Sequence, residues 1–134
     1  MLVRQTFEAA TAHAARATEQ LVRAAQTSDY QVRATVLVVG SDVDPASLRH
    51  PHIRAHALEG RLFREAVEAG VSKCGLSCSV LVERETFASA ELALGKPRAD
   101  IRAITTALGK IAGRPWGAQE KMAATAAWVA LVRE

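Results

Sequence analysis

The chain has 134 residues, 49% hydrophobic, 23% charged and only 4% aromatic, which is enough for one domain with its own core. Its 27 alanines against three Phe, two Trp and one Tyr favour close helix packing and speak against a β-sandwich or an aromatic base-stacking module. Eight Gly and two Cys exclude collagen-like and disulfide-scaffold classes, and the net charge of +3 is too small to favour nucleic acid as a partner by itself.

In chain order, residues 6–25 read as a long helix. Phe7, Ala10, Ala14, Ala17, Leu21 and Ala24 recur at three- and four-residue steps and make one narrow apolar stripe. Thr27-Ser28-Asp29 supplies the turn. The period then changes to two: Val32, Ala34, Val36 and Val38 alternate with Arg33, Thr35, Leu37 and Val39. Because 36–39 is apolar on both faces, it predicts a strand covered on both sides, as in a parallel sheet, stopped by Gly40. Asp44-Pro45 has the form of an N-cap followed by Pro at the first helical position, and His50-Pro51 repeats it. A second helix is predicted over 52–69, with Ala55, Leu58, Leu62, Ala66 and Ala69 inward, Arg61/Glu65 and Arg64/Glu68 as outer pairs, and Gly70 as its stop.

A second strand is predicted over 76–83, with Leu76, Cys78, Val80 and Val82 on one face. Residues 85–94 form a short helix ending at Gly95. Pro97 opens another, with Ile101, Ile104, Leu108 and Ile111 inward as far as Gly113. After Arg114-Pro115-Trp116-Gly117 comes a last helix over 118–133, burying Met122, Ala126, Val129 and Val132. Trp116 plugs this hairpin, and Trp128, off the apolar stripe, suits a protein contact.

The predicted fold is α/β: a small parallel βαβ core with a long N-terminal helix and a C-terminal helical hairpin, as a single domain over 1–134. The alternative is a fragment of an RNase H-like three-layer sandwich, which the element order resembles. The three opening antiparallel strands of that fold have no counterpart before Val32. Two strands leave two open edges, so either a third strand lies near 86–88 or two chains associate, and a homodimer is expected. On a strand, Cys74 and Cys78 would share a face about 13 Å apart, too far for a disulfide, which fits free thiols in a reducing cytoplasm. The chain opens without an apolar run of signal length, and its longest low-charge stretch, 122–132, falls short of the ~20 residues that span a bilayer. A cytoplasmic protein with no membrane partner is expected.

Site candidates follow from topology. Ligands in open α/β sheets sit beyond the carboxyl ends of the strands, where this chain carries Asp42 and Asp44 after the first strand and Glu83 and Glu85 after the second. His50, His52, His56 and Glu59 form a second constellation. On a helix starting near His52, positions 52, 56 and 59 fall within about 60° of arc, which suits a metal ion or a hydrogen-bonded seam that also takes in Phe63. Arg49 and Arg54 beside that helix N-terminus suit an anion. The expected function is a non-catalytic, dimeric module that binds a small molecule or a protein on this rim. The alternative is a hydrolase of phosphate esters or nucleic acid, in which the carboxylates hold a divalent metal and a histidine moves protons.

Overall fold

The computed structural model describes residues 2–133. The fold is mixed α/β and mostly helical. Its elements are α1 (Leu2–Thr27), β1 (Ala34–Val39), a 3-10 turn (Pro45–Ser47), α2 (Pro51–Lys73), β2 (Ser77–Val82), a second 3-10 turn (Glu83–Glu85), α3 (Thr86–Leu94), α4 (Arg98–Ala112) and α5 (Ala118–Arg133). β1 and β2 pair in parallel as a two-stranded sheet. The chain divides into two compact units, one running to Arg33 and over Asp42–Cys78, the other over Ala34–Ser41 and from Ser79 onward.

In the first unit α1 packs along α2, and the 3-10 turn lies against α2. Gly70 does not stop α2, which runs on to Lys73 and is capped at Cys74. It marks the helix crossing. A Cβ on Gly70 would lie 2.6 Å from Ala14 Cβ and 2.8 Å from both Ala15 N and Thr11 O, so the backbones meet closer than any side chain allows. The left-handed residue that ends the segment is Gly75, φ 75°. Cys74 therefore sits at a helix end and not on a strand, and its thiol donates to Ala15 O at 3.4 Å. Cys74 and Cys78 are not joined in a disulfide.

This crossing sets the rotation of α1. Thr11 is buried and Ala14, Ala15, Thr18, Val22 and Ala25 are half-buried, whereas Ala17 and Ala24 are exposed and Leu21 is 70% exposed. The predicted stripe is thus only partly covered. Along α2, Ala66 is buried and Leu62 and Ala69 are half-buried as expected, but Ala55 and Leu58 are exposed.

The second unit is built on β1, half-buried at all six positions as its two-faced apolar pattern requires. α5 packs on β1 and α3, and α4 packs on α3 and α5. Ala90, Ile101 and Val129 form the core, with Phe87, Ala93 and Leu94 against it. Residues 86–88 open α3 and make no third strand. α3 ends at Gly95, φ 61°, and α4 runs between Pro97 and Gly113, φ 78°, as the punctuation predicts. The inward face of α4 is narrower than predicted: Ile101 and Thr105 are buried, while Ile104 and Leu108 are about two-fifths exposed and Ile111 is 87% exposed. In α5 the buried set is Thr125, Ala126 and Val129, and Val132 is exposed. Threonine takes core places because its hydroxyl is satisfied by the carbonyl four residues back, within the same helix for Thr105 and Thr125 and at the end of β2 for Thr86. Thr86, Thr105 and Thr125 donate to Val82 O, Ile101 O and Lys121 O at 3.1, 3.0 and 2.8 Å, leaving the methyl for the core. Among the described residues, no helix is long and apolar enough to cross a membrane.

Candidate functional site

Seven of the nine rim residues belong to the first unit. Asp44 caps its 3-10 turn: a carboxylate oxygen accepts from Ala46 N at 3.1 Å and stands 3.9 Å from Arg61, which also pairs with Glu65 at 3.0 Å. His50 caps α2, its Nδ1 accepting from His52 N at 3.2 Å and Ile53 N at 3.4 Å. Pro51 follows at the first helical position, where a missing N–H costs nothing. The cap requires a neutral ring with its proton on Nε2. Arg54 is tied back by its Nε, 2.8 Å from Leu48 O, and by a second guanidinium nitrogen on the same carbonyl.

His52 and His56 meet edge to face one turn apart, Nε2 to Nε2 at 3.2 Å, with ring planes 87° apart. A hydrogen bond at this distance has one ring nitrogen donating and the other accepting. Asp42, Arg49 and Glu59 are exposed. Glu83 and Glu85, also exposed, lie in the 3-10 turn of the second unit. The rim thus yields two helix-end caps and one histidine pair. Among the described residues, no three His, Cys, Asp or Glu side chains come together where they would hold a metal ion.

Two concave surfaces among the described residues bear on function. In the first unit a groove of about 500 Å³ runs between Ala10, Ala14, Ala17 and Leu21 of α1 and Phe63 and Val67 of α2, with His13 at its margin. Phe63 is 44% exposed and Leu21 more so. At about 100° per residue, Val3, Thr6, Phe7, Ala10, His13, Ala14, Ala17, Leu21 and Ala24 share a sector of α1 with no Arg, Lys, Asp or Glu.

In the second unit a concavity of about 750 Å³ lies where α4 hands over to α5, lined by Lys110, Arg114, Trp116 and Lys121 together with glycines 109, 113 and 117. Trp116 closes the hairpin as the Pro/Gly context predicts, its indole N–H donating to Thr105 O at 2.9 Å. Gly109 makes that seat possible, since a Cβ there would lie 2.4 Å from Trp116 Cδ1. The three cations of this concavity are missing from the sequence-derived rim. Their signal is local: residues 96–121 hold six Lys and Arg against two carboxylates, while the rest of the chain holds eleven against twelve. A whole-chain charge of +3 hides that asymmetry. No protein-family model, curated protein or solved structure matches this chain.

Proposed function

We propose that this chain is a non-catalytic binding module that works as a homodimer, with the α1/α2 face of one copy laid on the same face of a second. The observation that carries the reading is the uncharged sector of α1, continued by Phe63 and left uncovered. Among the described residues of the first unit the buried apolar side chains are Pro45, Ala66 and Val71, while Leu2, Val3, Leu21, Leu58 and Phe63 stand exposed. Water-facing surface of that kind is stabilised by burial against a partner.

A second copy is the occupant that fits. A two-fold interface must be self-complementary, and this face offers both raised side chains, Leu21 and Phe63, and the hollow between Ala10, Ala14 and Ala17. Two adjacent helices of this length present a strip about 35 Å by 20 Å, roughly 700 Å² per copy, close to the ~800 Å² of a standard interface. Depletion of charge is also what an interface core requires. The same reading takes β1, α2 and β2 as a βαβ unit and the protein as cytoplasmic, where its two cysteines, not joined in a disulfide, would stay reduced. A metal-dependent hydrolase has no observation in its favour, because Asp44 and His50 are engaged as caps.

Sedimentation velocity tests the dimer. At tens of micromolar the wild-type chain should sediment at twice 14.3 kDa, and Leu21→Glu/Phe63→Glu should sediment at 14.3 kDa with an unchanged circular dichroism spectrum. A wild-type monomer, or a double variant that still dimerises, would overturn the reading.

A further inference from the structure

We propose that the concavity around Trp116 binds a nucleoside phosphate. Three features of the second unit converge there, independently of the dimer.

The first is charge. Lys110 comes from the last turn of α4, Arg114 from the connecting loop and Lys121 from the start of α5, and all three line one concavity whose lining contains no carboxylate. None of them forms an ion pair with a described residue, whereas Arg4, Arg61, Arg64 and Arg98 each do. Lys121 is also half-buried. A partly desolvated ammonium among two more cations raises the local potential and favours a multiply charged anion over a single carboxylate.

The second is the indole. Trp116 is held by its hydrogen bond to Thr105 O and by its seat on Gly109, so little freedom is lost when a flat ring stacks on it. Aromatic faces stack on nucleobases with little regard to base identity.

The third is an orphaned acceptor. Glu120 lies in the first turn of α5, and its Oε2 is buried without a hydrogen-bond partner among the described residues. It sits 4.0 Å from the Cβ position of Gly117, which lines the concavity. Glu120 lies behind the lining, so its oxygen meets a ligand only when the side chain turns past Gly117; turned so, it would repel a bare phosphate and accept from a sugar hydroxyl. Cations for a phosphate chain, a ring for a base and an acceptor for a sugar hydroxyl together select a nucleoside phosphate over inorganic anions.

The test is a titration of the chain with ADP, adenosine and inorganic pyrophosphate. Binding is read by Trp116 fluorescence in a Trp128→Phe background and repeated by calorimetry on the unsubstituted chain. ADP should give saturable binding, and both fragments should bind roughly tenfold more weakly or worse. Lys110→Gln/Arg114→Gln should weaken ADP by roughly tenfold, with an unchanged circular dichroism spectrum, and should flatten its salt dependence. Absence of saturable ADP binding, equal binding to the double variant, or pyrophosphate binding as tightly as ADP would each overturn the assignment.

Discussion

Single residues carry the most exact information in this structure, and glycine shows why position outweighs type. Gly60 and Gly70 both lie inside α2, yet a Cβ on Gly60 would meet nothing within 4 Å while one on Gly70 would strike the backbone of α1. Gly60→Ala should therefore raise stability by about 0.5–1 kcal/mol through helix propensity alone. Gly70→Ala gains the same propensity but forces the helices apart, so a net loss of about 1–2 kcal/mol is expected. Urea denaturation of the pair, with opposite signs, checks both. Thr11 offers a third case. It is 4% exposed, and its Oγ1 has no partner among the described residues. Thr11→Val keeps the shape and removes the stranded hydroxyl, so the urea midpoint should rise by the equivalent of about 1 kcal/mol. None of these distinctions is visible in sequence, because each depends on what stands opposite.

Elements were more legible than the faces they present. Gly95, Pro97 and Gly113 bound α3 and α4 where the punctuation puts them, because a left-handed glycine or a proline acts through its own backbone. Burial failed where it depended on a neighbour: the periodic stripe of α1 was real, but the close approach at Gly70 turned it partly to solvent. Hydrophobic spacing defines a face without naming its partner. The rim met a similar limit. Asp44 and His50 were chosen for their chemistry, while the Pro after each had already marked them as caps. His50→Ala should accordingly cost about 1 kcal/mol by thermal denaturation, and His50→Asn, which restores an acceptor, should recover most of it. The absence of any loss on His50→Ala would remove the cap from the account.

At the scale of the whole molecule, two kinds of surface lie in separate units: an uncharged α-helical face in one and a cluster of cations around an indole in the other. Their responses to salt should part accordingly. Self-association through the α1/α2 face should be nearly unchanged, or slightly stronger, between low and high sodium chloride, since apolar burial is not screened. Sedimentation at the two ionic strengths reads this directly, and a dimer that falls apart in salt would point to charged contacts instead. Open α/β sheets place ligands beyond the strand ends, and in sequence that geometry points to the rim. The cationic concavity is not legible in sequence, because its three charges come from two helices and a loop and only the fold brings them to one place.

The Thr105 and Thr125 hydroxyls, which donate to carbonyls of their own helices, have an evolutionary consequence. Each carries its partner with it, so exchange of Thr for Val at positions 105 or 125 strands no group elsewhere in the protein. These sites are free to drift between the two residues while the shape of the core persists. Gly70 and Gly109 have no such latitude, because their neighbours occupy the space a side chain would need. Lineages descended from this chain should therefore diverge in the polarity of the interior while keeping the same two glycines.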